Sequence, residues 1–199
     1  MASDDSLRDA LARAMHGFAA VVADLDEADW DQPSMCDGWS IGDVVEHIIG
    51  GDRFARIVLG GGTLDEAIAT VFGVDHLGDD PTVAVVDAST AARAAFADSL
   101  DRLVDHPVGR IPARRFIGFR VFDQLGHTWD IAAALDRPVV LDPVAVSVAL
   151  DIAEIERAMI DSSPHFADAP KVDDTDTAAD ADTDSDEQDR FLRAIGRSV

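Results

Sequence analysis

Apolar residues recur at steps of three and four along nearly the whole chain, with Pro and Gly at the segment ends, a period that only packed helices satisfy. Ser6 is placed to cap a first helix in which Leu7, Leu11, Ala14, Met15, Phe18, Val21, Val22 and Leu25 share a face, ending near Asp29. A loop punctuated by Pro33 and Gly38 follows. Ser40 then opens a second helix, with Asp43 completing a capping box that more commonly uses Glu or Gln. It runs through Val44, Val45, His47, Ile48 and Phe54 towards Leu59, where three glycines stop it. A short helix is expected over 63–72 and a loop over 73–81. A third long helix is expected over 82–104, with Val85, Val86, Ala92, Phe96, Leu100 and Leu103 as its inner stripe. After a break at 107–112, a fourth covers 113–135 and a fifth 143–160. No run alternates with period two, and 138–142 is the best strand candidate. The pattern predicts an all-α helical bundle with an additional helix packed outside it.

Charge narrows the functional classes. The 199 residues carry 39 Asp+Glu against 16 Lys+Arg, a formal net charge of −23. Such a surface repels phosphate backbones and anionic lipid, which argues against nucleic-acid and membrane partners. Lys171 is the sole lysine, a composition that suits a halophilic source or a GC-biased genome. A single cysteine, Cys36, excludes an internal disulfide. The N-terminus lacks a signal-peptide pattern and no stretch reaches a spanning length, so a cytoplasmic location is expected. Residues 1–165 read as the bundle. Residues 166–188 are so acidic and apolar-poor that they read as disordered. Residues 189–199 then form a closing segment, in which Phe191, Leu192 and Ile195 dock back on the body.

The chemistry concentrates in Asp123-Gln-Leu-Gly-His127. Residues four apart share a helix face, so this carboxylate and imidazole are spaced to hold one metal ion. His47, midway along the second helix, is the best third ligand, and two imidazoles with one carboxylate are typical of catalytic zinc and non-haem iron. Asp43 and Asp130 are placed one turn from His47 and His127 to accept their second ring N–H. Asp–His pairs on acidic helices are often plain solvated neighbours. Here, however, Phe116, Phe119, Phe122, Leu125 and Trp129 make the helix largely apolar, and buried polar groups need partners. Arg120 falls on the face of Asp123, where it can hold an anionic substrate or pair with an acid. His16 is a reserve ligand. His76, His106 and His165 read as surface residues, and Cys36 as a small packing group before a ligand. Glycine-rich phosphate loops and nucleophile elbows are absent.

These segments resemble a known family. Pro33-Ser-Met-Cys-Asp-Gly-Trp-Ser-Ile-Gly-Asp-Val-Val-Glu-His47 and Arg120-Val-Phe-Asp-Gln-Leu-Gly-His-Thr-Trp-Asp130 resemble motifs of the mycothiol-dependent maleylpyruvate isomerase N-terminal family, in the DinB-like metal-binding superfamily. The ending, Asp189 to Arg197, is similar to that of many members. The resemblance implies a DinB-like up-down-down-up four-helix bundle with His47, Asp123 and His127 binding a divalent metal at one end, usually zinc and sometimes nickel. It implies a thiol transferase or isomerase with a low-molecular-weight thiol as cosubstrate, an electrophilic small molecule as second substrate, and a homodimer. Asp123 stands where related enzymes often carry Glu, and the extra C-terminal domain of the maleylpyruvate enzyme has no counterpart after the bundle. Two other classes stay open. One is a non-catalytic metal- or small-ligand-binding bundle, its metal closed off by His16 or Cys36. The other is a structural acidic bundle that interacts through its tail.

Overall fold

The computed structural model describes residues 2–158 and 183–199. Helix α1 (Asp4–Ala23) is capped by Ser3 rather than Ser6: the Ser3 side chain accepts the Ser6 N–H, and Asp4 and Asp5 complement the helix N-terminus. It stops six residues before Asp29, because the Asp29 carboxylate accepts the Asp26 N–H and an Arg137 N–H and turns the chain there. Helix α2 (Ile41–Leu59) starts as the sequence predicts, with both halves of the Ser40–Asp43 capping box formed. The short α3 (Leu64–Val71) has a box of its own from Thr63 and Glu66.

Helix α4 (Pro81–Ala95), capped by Asp80, ends well before the expected residue 104. The chain instead forms an antiparallel hairpin, β1 (Leu103–His106) and β2 (Gly109–Pro112), in which Val104 pairs with Ile111 and both point inward. Gly109, at φ 111°, takes a backbone conformation that a side chain would strain. The strand expected at 138–142 does not form. Gln188 takes its backbone groups, accepting the Leu141 N–H and donating to the Val139 carbonyl.

Four helices close a ring: α1 packs on α4 and on α5 (Ala113–Ala134), and α2 packs on the same two. Their directions follow from what meets at each end. Arg114 binds Asp4 and Arg137 binds the Asp24 carbonyl, so α1 and α5 run parallel. Phe54 meets Phe116 and His47 meets His127, so α2 opposes α5. Arg8 binds the Phe96 and Asp98 carbonyls just beyond α4, so α4 opposes α1. The order is therefore up-down-down-up, as the DinB-like resemblance implies. Outside the ring, α6 (Pro143–Ile155), capped by Asp142, packs on α1 and on α7 (Thr183–Ala194). Phe191, Leu192 and Ile195 are buried, as expected of the closing segment, and each such burial contributes about 1.5–3 kcal/mol. Helix α7 begins at Thr183, inside the stretch expected to be disordered. The remainder of that stretch, the end of the predicted fifth helix and His165 lie outside the described residues. Among the described residues no helix is long and apolar enough to cross a membrane.

Candidate metal centre

Because α2 and α5 are antiparallel neighbours, the middle of one faces the middle of the other. That register brings His47 to Asp123 and His127, and ligand atoms of the three lie within 4.8 Å of one another. His47 Nε2 stands 3.9 Å from Asp123 Oδ2, and the two imidazoles cross nearly at right angles with centroids 5.2 Å apart. A tetrahedral ion with bonds of about 2.0–2.1 Å separates its donors by roughly 3.3 Å, a few tenths less than this gap and within the range of a side-chain torsion. The residues present therefore fit a divalent ion. Trp39, from the loop before α2, stands over the cluster with its ring 5.1 Å from His47 and 6.4 Å from His127.

The ligand side chains are held from behind. His127 Nδ1 lies 2.8 Å from Asp130 Oδ2, and Arg197, beyond the end of α7, donates to both oxygens of the same carboxylate at 3.1 and 2.7 Å. Burial opposes charge on Asp130, yet hydrogen bonds from His127 and Arg197 outweigh it and bring its pKa down to about 2. An ionised Asp130 favours the proton on Nδ1 of His127, which would leave Nε2 available to a metal. Cys36 donates its thiol to the same carboxylate at 3.4 Å; burial, with Asp130 alongside, pushes that thiol up to about 12. It is a neutral packing partner on the Nδ1 side of His127.

The sequence leaves Arg120 a choice between an anionic substrate and a neighbouring acid, and the structure shows the acid: Arg120 is 2% exposed and bonded to two carboxylates rather than facing the groove. It donates to Asp123 Oδ2 at 2.7 Å, to Asp52 Oδ1 at 3.1 and 2.8 Å, and to the Ile48 carbonyl at 3.1 Å. Gln124 donates to the second oxygen of Asp52. Arg120 is thus a positioning residue that fixes Asp123. Burial pushes the Asp52 carboxyl up despite the adjacent guanidinium. Gly51 makes this possible, since a Cβ there would overlap the Arg120 guanidinium. Neither Asp52 nor Gly51 stands out in the sequence, although adjacent glycines inside an apolar helix are a readable sign of close approach.

The remaining candidates divide. Asp43 lies beside the site, but its carboxylate accepts from the Ser40 N–H and hydroxyl, bonds that hold its pKa below the usual range. His16 is exposed on α1 and belongs to no ligand cluster among the described residues. His76 is not a surface residue: it is buried, its Nε2 2.7 Å from the Val71 carbonyl and its Nδ1 2.6 Å from Arg53. His106 is half-buried, packed edge-on against Phe54 and Phe116, and burial lowers its pKa to about 4. An open groove of about 850 Å³ runs from His47 and Trp39 between α2 and the loop after α3, where Phe72 and Val74 form its far wall.

A helical bundle with two His and a carboxylate brought together on two antiparallel helices outlines a class, and comparison with known proteins supplies the family. Residues 11–132 match the mycothiol maleylpyruvate isomerase N-terminal domain, and the chain belongs to that family. It is 29% identical over 156 residues to uncharacterized proteins from two strains of Mycobacterium tuberculosis, covering 77% of this chain and 78% of theirs. In fold it is similar to the crystal structure of a histidine-to-alanine mutant of the mycothiol-dependent maleylpyruvate isomerase. The TM-score is 0.56 at 14% identity, covering 85% of this chain and 74% of that one.

Proposed function

We propose that this protein is a metal-dependent thiol transferase or isomerase, holding a divalent metal, zinc first and nickel second, on His47, Asp123 and His127. The observation that carries the reading is the convergence of these three ligand atoms within 4.8 Å of one another, with His47 also lining an open groove. Family membership supports a small thiol, mycothiol in the named relatives, as cosubstrate. Bound there, such an ion supplies Lewis acidity and lowers the pKa of a coordinated thiol, providing a nucleophile at neutral pH.

The chain's own residues prepare that chemistry. Asp130 and Arg197 fix the tautomer and tilt of His127. Arg120, neutralised by Asp52, holds Asp123 in place across the α2–α5 seam. Trp39 packs against His47 and, with it, walls the groove, which leaves room for an electrophilic carbon beside His47. Neither partner needed for a closed, non-catalytic site is well disposed. His16 is exposed on the helix opposite α2, and the Cys36 thiol is neutral and bonded to Asp130.

Metal content by mass spectrometry, after purification without chelator or affinity tag, tests the site. About one zinc or nickel per chain is expected, lost in His47→Ala, Asp123→Ala and His127→Ala while helical circular dichroism persists. Metal-dependent consumption of mycothiol with an activated alkene or epoxide tests the activity. A chain that neither carries nor takes up metal would refute the proposal.

A further inference from the structure

The groove beside the metal centre has a charge character of its own. Among the residues that line it are three carboxylates, Asp43, Glu46 and Asp75, and no Lys or Arg. Three cations stand behind the lining and none is part of it: Arg120 is buried on Asp52 and Asp123, Arg197 has its guanidinium on Asp130, behind His127, and Arg53 bonds to the buried ring of His76. Two aromatic side chains line the groove with open surface, Phe72 at 70% exposure and Trp39 at 39%. A divalent ion would not change the sign. Asp123 offsets one of its charges and a thiolate the other, so the lining carboxylates set the field that a second substrate meets.

We infer that this groove takes an uncharged or cationic, partly aromatic electrophile and rejects dicarboxylates; the inference rests on the metal–thiol reading for what happens to that molecule, not for its binding. Carboxylates repel an anion entering between them. Exposed aromatic faces attract a cation or stack on a flat neutral ring. Maleylpyruvate, the substrate named for the relative, is a dicarboxylate, so the chemistry would be retained on a different class of substrate.

Calorimetric titration of the full chain, with and without zinc, uses three matched unreactive probes: phenethyl alcohol, phenethyltrimethylammonium and phenylsuccinate. The neutral and cationic probes are expected to bind at least tenfold more tightly than the dicarboxylate, with the cation's advantage shrinking as salt is raised. Trp39→Ala and Phe72→Ala should each weaken the cation about fivefold or more, which locates binding in this groove. Glu46→Gln keeps an acceptor for the His76 N–H and so keeps the loop, and it should narrow the cation-to-dicarboxylate ratio several-fold; Asp75→Asn is the second variant. Equal or tighter binding of phenylsuccinate, an unchanged ratio in both charge variants, or no binding by any probe would overturn the inference. Zinc uptake is measured separately. Failure to bind zinc with the charge preference intact refutes the metal reading alone, and the reverse result refutes this inference alone.

Discussion

Replacing Arg120 by Ala tests whether the network behind Asp123 is as coupled as its geometry requires. Arg120 and Asp52 are 2% and 1% exposed, and the guanidinium supplies two of the three hydrogen bonds that reach the Asp52 carboxylate. Removing one partner of a buried pair costs about 3–5 kcal/mol, because the other is left charged without a counterion. Asp52 can escape by taking up a proton. At pH 7 that route costs about 1.36 × (7 − 3.9), or roughly 4.2 kcal/mol, which caps the electrostatic part. The sign follows. Burial already raises the carboxyl in the parent and Arg120 offsets part of that rise; without Arg120 the rise is larger, so the variant's deficit grows with pH above the parent's own folded value and fades below it, by up to about 1.4 kcal/mol per pH unit. Urea unfolding of Arg120→Ala followed by circular dichroism should show a deficit of about 3–5 kcal/mol at pH 7 that shrinks as pH is lowered towards 5. The double variant Asp52→Leu with Arg120→Met should recover most of the loss, since no charge is left buried, while zinc affinity still drops about 10- to 100-fold because Asp123 is no longer held. A single-variant deficit below about 1 kcal/mol at pH 7, or a double variant as unstable as the single, would refute the reasoning.

Gly51→Ala should destabilise the protein by about 1–3 kcal/mol through overlap with Arg120, against the roughly 1 kcal/mol gain that this change brings to an ordinary helix; thermal unfolding decides between the two signs. His106, lowered to about 4 chiefly by burial, contributes stability that is whole above pH 6.5 and is lost as pH falls towards 4. Allowing for solvent screening of its open edge, roughly 1–2 kcal/mol of that acid slope should vanish in His106→Phe when unfolding is compared at pH 7 and pH 4.5. The Cys36 thiol, near 12, should react with Ellman's reagent at pH 8 at least 100-fold more slowly than a free thiol, and Cys36→Ser should keep its zinc; rapid labelling of folded protein would contradict the assignment.

The sequence reveals those parts of the fold that are local. Ser40 and Asp43 start α2 because their partners are three residues away, and Asp123 with His127 share a face because a helix turn puts them there. His47 was found by its place in an apolar helix, and the antiparallel register that delivers it to His127 is a tertiary fact that came only from resemblance. The hairpin escaped notice because each strand buries one inward residue, Val104 and Ile111, too short a run for alternation to register. For Arg120 the sequence offers two partners, a substrate anion or an acid, and does not choose between them. Its helix face is predictable, but a long cation turns towards whichever acid waits, and Asp52 is 68 residues away in sequence. His76 sits beside an Asp and near glycines, a surface composition. Its burial depends on the Val71 carbonyl and on Arg53, neither of which local composition exposes.

Arg197 reaches Asp130 from 67 residues further along the chain, and Asp130 in turn orients His127. If the proposed site holds a metal, docking of the end of α7 and metal binding become linked equilibria, and linkage is reciprocal. If docking tightens metal binding by some factor, metal tightens docking by the same factor. Amide hydrogens of α7 should then exchange more slowly as metal is added, on a helix that bears none of the three ligands. Metal occupancy would be written into the mobility of a surface helix, where another molecule can read it without ever entering the groove.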